Sequence, residues 1–216
     1  MSTTRDTFNQ IAPFWYNYRH YSRFQSELQK LAQRWQQGKL LNVGCAHGPD
    51  FVPFKKSFEL YGVDYSPKML ELAQKYAAKN KFSVSLEEAD ARNLPYADNS
   101  FDFVISLAVI HHIEDSEGRL KALKEIYRVL KPNSEAFITV WNRWQPRHWF
   151  KKKNHMRPWK SKDNTLYRYY YLFSFNEIEK LARKAGFEII KSSPGDKYKF
   201  PIKTFSRNIC LLLRKR

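Results

Sequence analysis

Short apolar runs rich in β-branched and aromatic residues recur through the first 141 residues and alternate with stretches of helical period. This rhythm constrains the fold most, because strands joined through helices pair in parallel and bury both faces of one sheet. The runs are Lys39–Val43, Phe58–Val63, Phe82–Leu86, Phe101–Ser106 and Glu135–Trp141. Ser66-Pro67 opens a helix through about Ala78, with the serine as cap and the proline in the first turn. Ser116–Leu130 puts Leu120, Leu123, Tyr127 and Leu130 on one helical face, and Lys131-Pro132-Asn133 ends it. The opening 35 residues read as helical, whereas Asn142–Tyr171 shows neither period and reads as an insertion. Beyond it, Ser174-Phe175-Asn176-Glu177 is a capping box, Phe173 and Ile178 stand as a hydrophobic staple, and Gly186 suits a left-handed C-terminal cap. Two further runs, near Phe187–Lys191 and Phe205–Leu213, complete seven strands. The expectation is an α/β chain with a doubly wound, seven-stranded, mostly parallel sheet. It forms a single domain over 1–216, with a helical cap over 1–36 and a basic, aromatic insertion over 142–173 after strand five.

At 216 residues, 43% hydrophobic and 27% charged, the composition is globular. The longest apolar stretch, Phe103 to Ile110, falls well short of the roughly 20 residues of a membrane span. Met1 to Asp6 has no apolar core of a secretion signal, and Cys45 and Cys210 form neither a disulfide framework nor a zinc spacing. A cytosolic protein is expected. The net charge of +17 is unevenly placed. Residues 1–140 carry 18 Lys/Arg against 16 Asp/Glu, whereas residues 141–216 carry 20 against 5. A heat-adapted surface would add Glu alongside Lys, so the one-sided field points to an anionic partner.

Leu40-Leu41-Asn42-Val43-Gly44-Cys45-Ala46-His47-Gly48 lies where the first strand hands over to the next element. Small residues there let the backbone approach a ligand at the carboxyl edge of the sheet. Taken alone, the turn is explained equally well by chain geometry. Asp64 closes the second strand about twenty residues later, where a carboxylate can accept from both hydroxyls of a ribose or simply cap a helix. After strand three, Glu88-Ala89-Asp90-Ala91-Arg92-Asn93-Leu94-Pro95-Tyr96 offers an acid where an adenine amino group could be read.

In order and spacing these segments resemble motifs I to IV of the class I S-adenosylmethionine-dependent methyltransferases, over about residues 37–141. The resemblance implies S-adenosyl-L-methionine as cofactor. It would be held by Gly44, Cys45, Ala46, Gly48, Asp64, Tyr65, Ser66, Met69, Asp90, Ala91, Arg92, Ser106 and Leu107. Two positions depart from the pattern: Asn42 replaces the usual acid and Ala46 the usual central glycine.

Ile105-Ser106-Leu107-Ala108-Val109-Ile110-His111-His112 is similar to a stretch of the tRNA methyltransferases that esterify 5-carboxymethyluridine at the wobble position. Phe8–Ala12, Tyr18-Arg19-His20-Tyr21, Tyr127–Pro132, Val140-Trp141 and Tyr167–Phe173 extend the likeness, with Tyr18 at the family's usual Thr. What this implies is methyl transfer to that carboxylate in a tRNA anticodon loop. It also implies a small zinc-binding activator subunit docked near strands three and four, around Phe82 to Leu86. A small-molecule methyltransferase of the quinone-biosynthesis kind and a non-catalytic RNA-binding module remain open alternatives.

A carboxylate, with a pKa near ~4, is already an ionised nucleophile at neutral pH and needs no general base. It needs placement, worth on the order of ~7–11 kcal/mol. Arg19, Tyr18, His111 and His112 are the candidates to hold it, and Arg19 would serve equally for the methionine carboxylate of the cofactor. Histidines at a strand end are more often packing residues. For a hydroxyl, amine or acidic-carbon acceptor, one of them would become the base.

The stretch from Trp141 to Phe173 holds ten aromatic and nine basic residues against one acid, Asp163. Arg143, Arg147, Lys151, Lys152, Lys153, Arg157 and Lys160 are the expected RNA contacts, and aromatic faces can stack on unpaired bases at ~1–3 kcal/mol each. About half of the aromatics are expected to pack onto the sheet instead. Pro146 and Pro158 interrupt any amphipathic helix that a membrane surface would need. Arg214-Lys215-Arg216 is expected to be frayed.

Overall fold

The structure is a computed structural model that describes residues 4–160 and 165–216. Asp163 and the side chain of Lys160 lie outside the described residues. Two helices, α1 (Thr4–Tyr18) and α2 (Gln25–Trp35), precede β1 (Gly38–Val43). Then come β2 (Phe58–Asp64), α3 (Pro67–Lys79), β3 (Ser85–Glu88), β4 (Phe101–Leu107), α4 (Ser116–Val129) and β5 (Leu130–Trp141). A hairpin of β6 (Asn154–Lys160) and β7 (Thr165–Tyr171) leads to α5 (Phe175–Lys184), β8 (Glu188–Pro194) and β9 (Asn208–Arg214).

Seven strands form one sheet in the order β3-β2-β1-β4-β5-β9-β8. The first five are mutually parallel, and β9 runs antiparallel to both β5 and β8. The doubly wound, mostly parallel sheet read from the sequence is therefore present. The order reverses between β1 and β4, and the carboxyl ends of strands on either side of such a reversal leave a crevice between their outgoing loops. One face of the sheet packs Leu123, Ile126, Ile178 and Ala182 from α4 and α5 against Val104 and Ile138. The other packs Leu28, Leu31 and Trp35 of α2, with Phe51 and Phe54, against Ile105 and Phe137.

Local signals hold well. The Ser66 hydroxyl accepts from the Met69 N–H at the start of α3, Ser174 and Glu177 close a capping box, and Gly186 sits at φ +107°. Four expectations need correction. Asn142–Tyr171 is not periodless: Asn154–Lys160 pairs with Thr165–Tyr171 as an antiparallel hairpin. Alternation is hidden there because basic and aromatic side chains occupy both faces, and Pro158 is tolerated because β6 pairs on one side only. Lys131-Pro132-Asn133 does not follow a helix ending at Leu130. Leu130 is already extended, and the strand runs on through a register shift against β4. The third strand is Ser85–Glu88, displaced along the chain from Phe82–Leu86, because Phe82 and Val84 turn into the core beside α2. Finally, the C-terminus is tied down. Arg214 pairs with Glu135, Lys215 Nζ donates to the carbonyls of Leu130 and Arg128, and Arg216 pairs with Glu188.

Candidate active site

A cavity of about 800 Å³ opens at the carboxyl ends of β1, β2 and β4. Helix α1 covers one side of it: Ile11 and Ala12 pack on Met69 and Leu72 of α3, while Phe8 and Trp15 face the cavity. The hairpin braces that cover, with Trp159 and Trp15 ring centres 5.6 Å apart.

The turn after β1 is built from backbone. The N–H groups of Gly44 and Cys45 both donate to the Val63 carbonyl, at 2.8 and 2.9 Å, and Ala46 N–H donates to Asp64 Oδ2 at 2.8 Å. Gly44 adopts φ +73°, and a Cβ there would come within 2.3 Å of Val109 Cγ2. The absence of a side chain keeps this wall of the cavity open. Asp64 also accepts from Ser66 N–H at 2.9 Å, and its half-buried carboxyl lies on the cavity wall. Burial raises it to about 6, against those backbone hydrogen bonds. Two N–H donors leave two of a carboxylate's four acceptor sites free, which fits a ribose diol.

Across the cavity, Asp90 is bound up by Arg92. The backbone N–H at 2.8 Å and the Nε and Nη2 donors at 3.0 and 2.6 Å occupy both oxygens. Burial alone would raise the Asp90 carboxyl, but these bonds hold it below the usual carboxylate range. The Asp90 side chain is thus a brace for Arg92, and an adenine amino group would meet the Asp90–Arg92 backbone more readily than a free acid.

Of the expected cofactor residues, Gly44, Ala46, Asp64, Tyr65, Met69, Asp90, Ala91, Arg92 and Leu107 line the cavity. Cys45, Gly48, Ser66 and Ser106 do not. Cys45 is buried beside Phe51 in the core, and burial pushes its thiol up. Gly48 serves the turn at φ +89°, and the Ser66 hydroxyl is spent on Met69 N–H and Asn9 Oδ1. Ser106 and Asn42 sit on adjacent strands with no exposed surface, and their side-chain polar atoms have no hydrogen-bond partner. The shape of the glycine wall and the spare acceptor sites on Asp64 accommodate a polar nucleoside ligand.

The rest of the cavity is aromatic and cationic. Arg19, His111, His112, Trp141 and Tyr170 line it, together with Arg23, Asp50 and Arg207. Tyr18 is exposed at the end of α1 and does not. His47 Nε2 donates to the Arg19 carbonyl at 2.6 Å, and the Arg19 guanidinium lies 3.5 Å from the centre of Trp15. The paired histidines are held in opposite tautomers. Trp141 N–H donates to His111 Nδ1 at 3.3 Å, which places the His111 proton on Nε2, a buried donor with no partner. His112 Nδ1 donates to the Tyr169 carbonyl at 2.9 Å, which leaves its Nε2 without a proton. Burial lowers both, His112 to about 4 and His111 well below its ordinary value, so both are neutral at physiological pH.

Of the insertion's basic residues, Arg147 and Arg157 do not line the cavity but lie beside its Trp141, their guanidinium carbons 5.3 and 5.0 Å from the ring centre. Lys153 pairs with Glu177 at 2.6 Å, Arg143 lies over Trp144, and Lys151 and Lys152 are exposed away from the cavity. Trp144, Trp149, Phe150 and Tyr167 are exposed, while the other six aromatics are wholly or partly buried. Sequence reading missed His47, Asp50, Arg23 and Arg207. Arg23 and Arg207 carried no signal but their charge, since only the fold brings residues so far apart in the chain to one cavity. Among the described residues there is no cluster of metal-ligating side chains, and no helix is long and apolar enough to cross a membrane.

Comparison with known proteins agrees with this geometry. The methyltransferase-domain family matches residues 41–138. The Bos taurus protein "Probable tRNA methyltransferase 9B" is 28% identical over 155 residues, which cover 71% of this chain and 32% of that protein. The Arabidopsis thaliana tRNA (carboxymethyluridine(34)-5-O)-methyltransferase is 33% identical over 102 residues, 47% of this chain and 24% of that protein. The chain thus spans only about a quarter to a third of the length of these two relatives. The crystal structure of the CcbJ methyltransferase from Streptomyces caelestis superposes with a TM-score of 0.81 over 99% of both chains, at 14% identity, a likeness of fold. Fold, cleft and family match make this chain similar to the class I S-adenosylmethionine-dependent methyltransferases, whose cofactor is S-adenosyl-L-methionine. Within that class it resembles the tRNA methyltransferases.

Proposed function

We propose that this chain methylates the carboxylate of 5-carboxymethyluridine at the wobble position of a tRNA, giving the methyl ester. S-adenosyl-L-methionine supplies a methyl group made electrophilic by its sulfonium. Gly44, Ala46, Asp64, Tyr65, Met69 and Leu107 hold the nucleoside part of the cofactor, the carboxylate of Asp64 accepting from the ribose. The observation that carries the reading is the composition of the remaining cavity wall where the acceptor would sit: Arg19 beside two neutral histidines. An anionic acceptor needs cations and N–H donors, and His111 Nε2–H is such a donor. A hydroxyl or amine acceptor would need a base with a pKa near the working pH, and His112, lowered to about 4, is a poor one. The lopsided charge of the C-terminal third and the exposed Trp144, Trp149, Phe150 and Tyr167 suit a single-stranded loop on a phosphate track. On this reading a small zinc-binding activator subunit would dock near strands three and four, around Phe82 to Leu86, where β3 forms one edge of the sheet.

The test is mass spectrometry of nucleosides from tRNA that bears 5-carboxymethyluridine, after incubation with isotopically labelled cofactor and, in a parallel arm, an activator subunit. A labelled methyl ester is expected at the wobble position. Label on a ring nitrogen, a ribose hydroxyl or no nucleoside at all, in both arms, would overturn the assignment.

A further inference from the structure

Arginines without an answering carboxylate gather around Trp141 at the aromatic end of the cavity, which Arg23 and Arg207 line and Arg147, Arg157 and Arg168 do not. Arg157, Arg147 and Arg207 place their guanidinium carbons 5.0, 5.3 and 5.9 Å from the centre of one indole, that of Trp141. They come from three stretches of chain: β6, the turn before it and the residue preceding β9. Trp141 in turn stacks on Tyr170 at 4.5 Å, and the buried Arg168 lies 5.4 Å from the Tyr170 ring. Arg23, between α1 and α2, lines the cavity beside Trp141 and Arg207. Among the described residues, none of these five arginines forms an ion pair.

Contact with the Trp141 and Tyr170 rings favours such a gathering only in part. Like charges repel, and a guanidinium N–H taken out of water without an acceptor is a net cost. Arg157 Nη1 and Arg168 Nε are in that position, buried and with no partner among the described residues. Burial of Arg168 and partial loss of water around the exposed Arg23, Arg147 and Arg207 lower their pKa, and the neighbouring arginines lower it further. The cluster therefore behaves as a site waiting for negative charge. We propose that Arg23, Arg147, Arg157 and Arg207, arranged around Trp141, bind the phosphate groups flanking the acceptor nucleotide, at a point separate from the atom that is methylated. This rests on the nucleic-acid reading above and deepens it.

Phosphate fits better than the acceptor carboxylate on two grounds. Four permanent cations exceed what one carboxylate can neutralise, whereas a nucleotide within a strand brings a phosphodiester on each side. Planar guanidinium forks also match the oxygens of phosphate two at a time, as a lysine does not. The site would act as an anchor, fixing the backbone so that the modified base enters the cavity toward Arg19 and His111.

Titration calorimetry with three small probes tests this: uridine 3′,5′-bisphosphate, uridine, and the nucleoside 5-carboxymethyluridine. S-adenosylhomocysteine binding serves as the check on folding. The wild-type chain is expected to bind the bisphosphate at least about tenfold more tightly than uridine, with an affinity that falls as salt rises. Arg147→Gln and Arg207→Gln, both at exposed positions, should each weaken bisphosphate binding about tenfold and leave S-adenosylhomocysteine binding unchanged. Bisphosphate binding no tighter than uridine, or unaltered in both variants, would overturn the proposal. So would 5-carboxymethyluridine competing for the same arginines as strongly as the bisphosphate, which would make the cluster the acceptor carboxylate's own seat. Bisphosphate binding that depends on these arginines, in a protein that leaves tRNA carboxylates unmethylated, would keep this site and sink the acceptor assignment alone.

Discussion

The backbone N–H of Ala46 donates to Oδ2 of Asp64 at 2.8 Å, so the glycine turn after β1 is fastened to the end of β2 by the same carboxylate that faces the cavity. On the proposed reading, the wall and the acceptor of the cofactor are thereby one unit. Distortion of the turn moves the acid, and loss of the acid frees the turn.

Asp64→Asn should therefore weaken S-adenosylhomocysteine binding by about 10–100-fold, the usual cost of removing a charged hydrogen-bond acceptor. The pH dependence has a definite sign. Burial raises the Asp64 carboxyl from 3.8 to about 6, and ligand hydroxyls bind its ionised form. Affinity should climb as pH rises toward 6 and level off above it. Calorimetry from pH 5 to pH 8 should show that climb in the wild type and a flat line in the variant.

Gly44→Ala asks a different question of the same wall. Its Cβ would fall 2.3 Å from Val109 Cγ2, in a backbone conformation at φ +73° that L-residues rarely take. Both effects oppose it, and a stability loss of about 1–3 kcal/mol is expected in urea denaturation. Cofactor affinity should fall as well, because relief of the clash must move Val109 or the turn. A variant with wild-type stability and affinity would show that the turn has room the structure denies.

Much of this was legible in the sequence because it rests on short-range patterns. The alternation of runs fixes the parallel strands, Ser66 and Ser174 mark helix starts, and Gly44 with Asp64 marks one wall of the cavity. What stayed hidden depends on long-range closure. The β6–β7 hairpin presents aromatic and basic side chains on both faces, so no period betrays it, and Arg23 meets Arg207 only after the chain has closed. The bonding of Asp90 to Arg92 was invisible for another reason: an acid and a base two residues apart predict neither contact nor its absence.

Glu135 supplies a test of the fold itself. On β5 it accepts from Arg34 Nε and Nη2 at 2.8 and 2.7 Å, from Trp35 Nε1 at 2.9 Å and from Arg214 at 3.2 Å, joining α2 to β9. Burial would raise its carboxyl, but these donors outweigh that and bring it down to about 2. A depressed carboxyl stabilises the folded state above its ordinary value of 4.5, and that contribution is lost as pH falls toward 2. Glu135→Gln should cost about 2–4 kcal/mol near neutrality, with Trp35 and two arginines left short of an acceptor. The difference between variant and wild type should shrink on acidification. A constant difference would mean that packing, not charge, carries the effect.

The opposite tautomers of His111 and His112 bear on mechanism. With Trp141 N–H held on Nδ1, His111 presents only a proton donor at Nε2. His112 could accept at Nε2, but at about 4 it is too weak a base to set a rate near neutrality. If the acceptor is an ionised carboxylate, the rate of methyl transfer to tRNA should be flat from about pH 6.5 to 8.5, where a carboxylate does not titrate. His111→Gln keeps a donor near Nε2 and should retain more activity than His111→Ala, whereas His112→Ala should act through packing and leave the profile flat. A rising limb near pH 7 that disappears in His112→Ala would instead identify that residue as a general base. The acceptor would then have to be a group that gives up a proton.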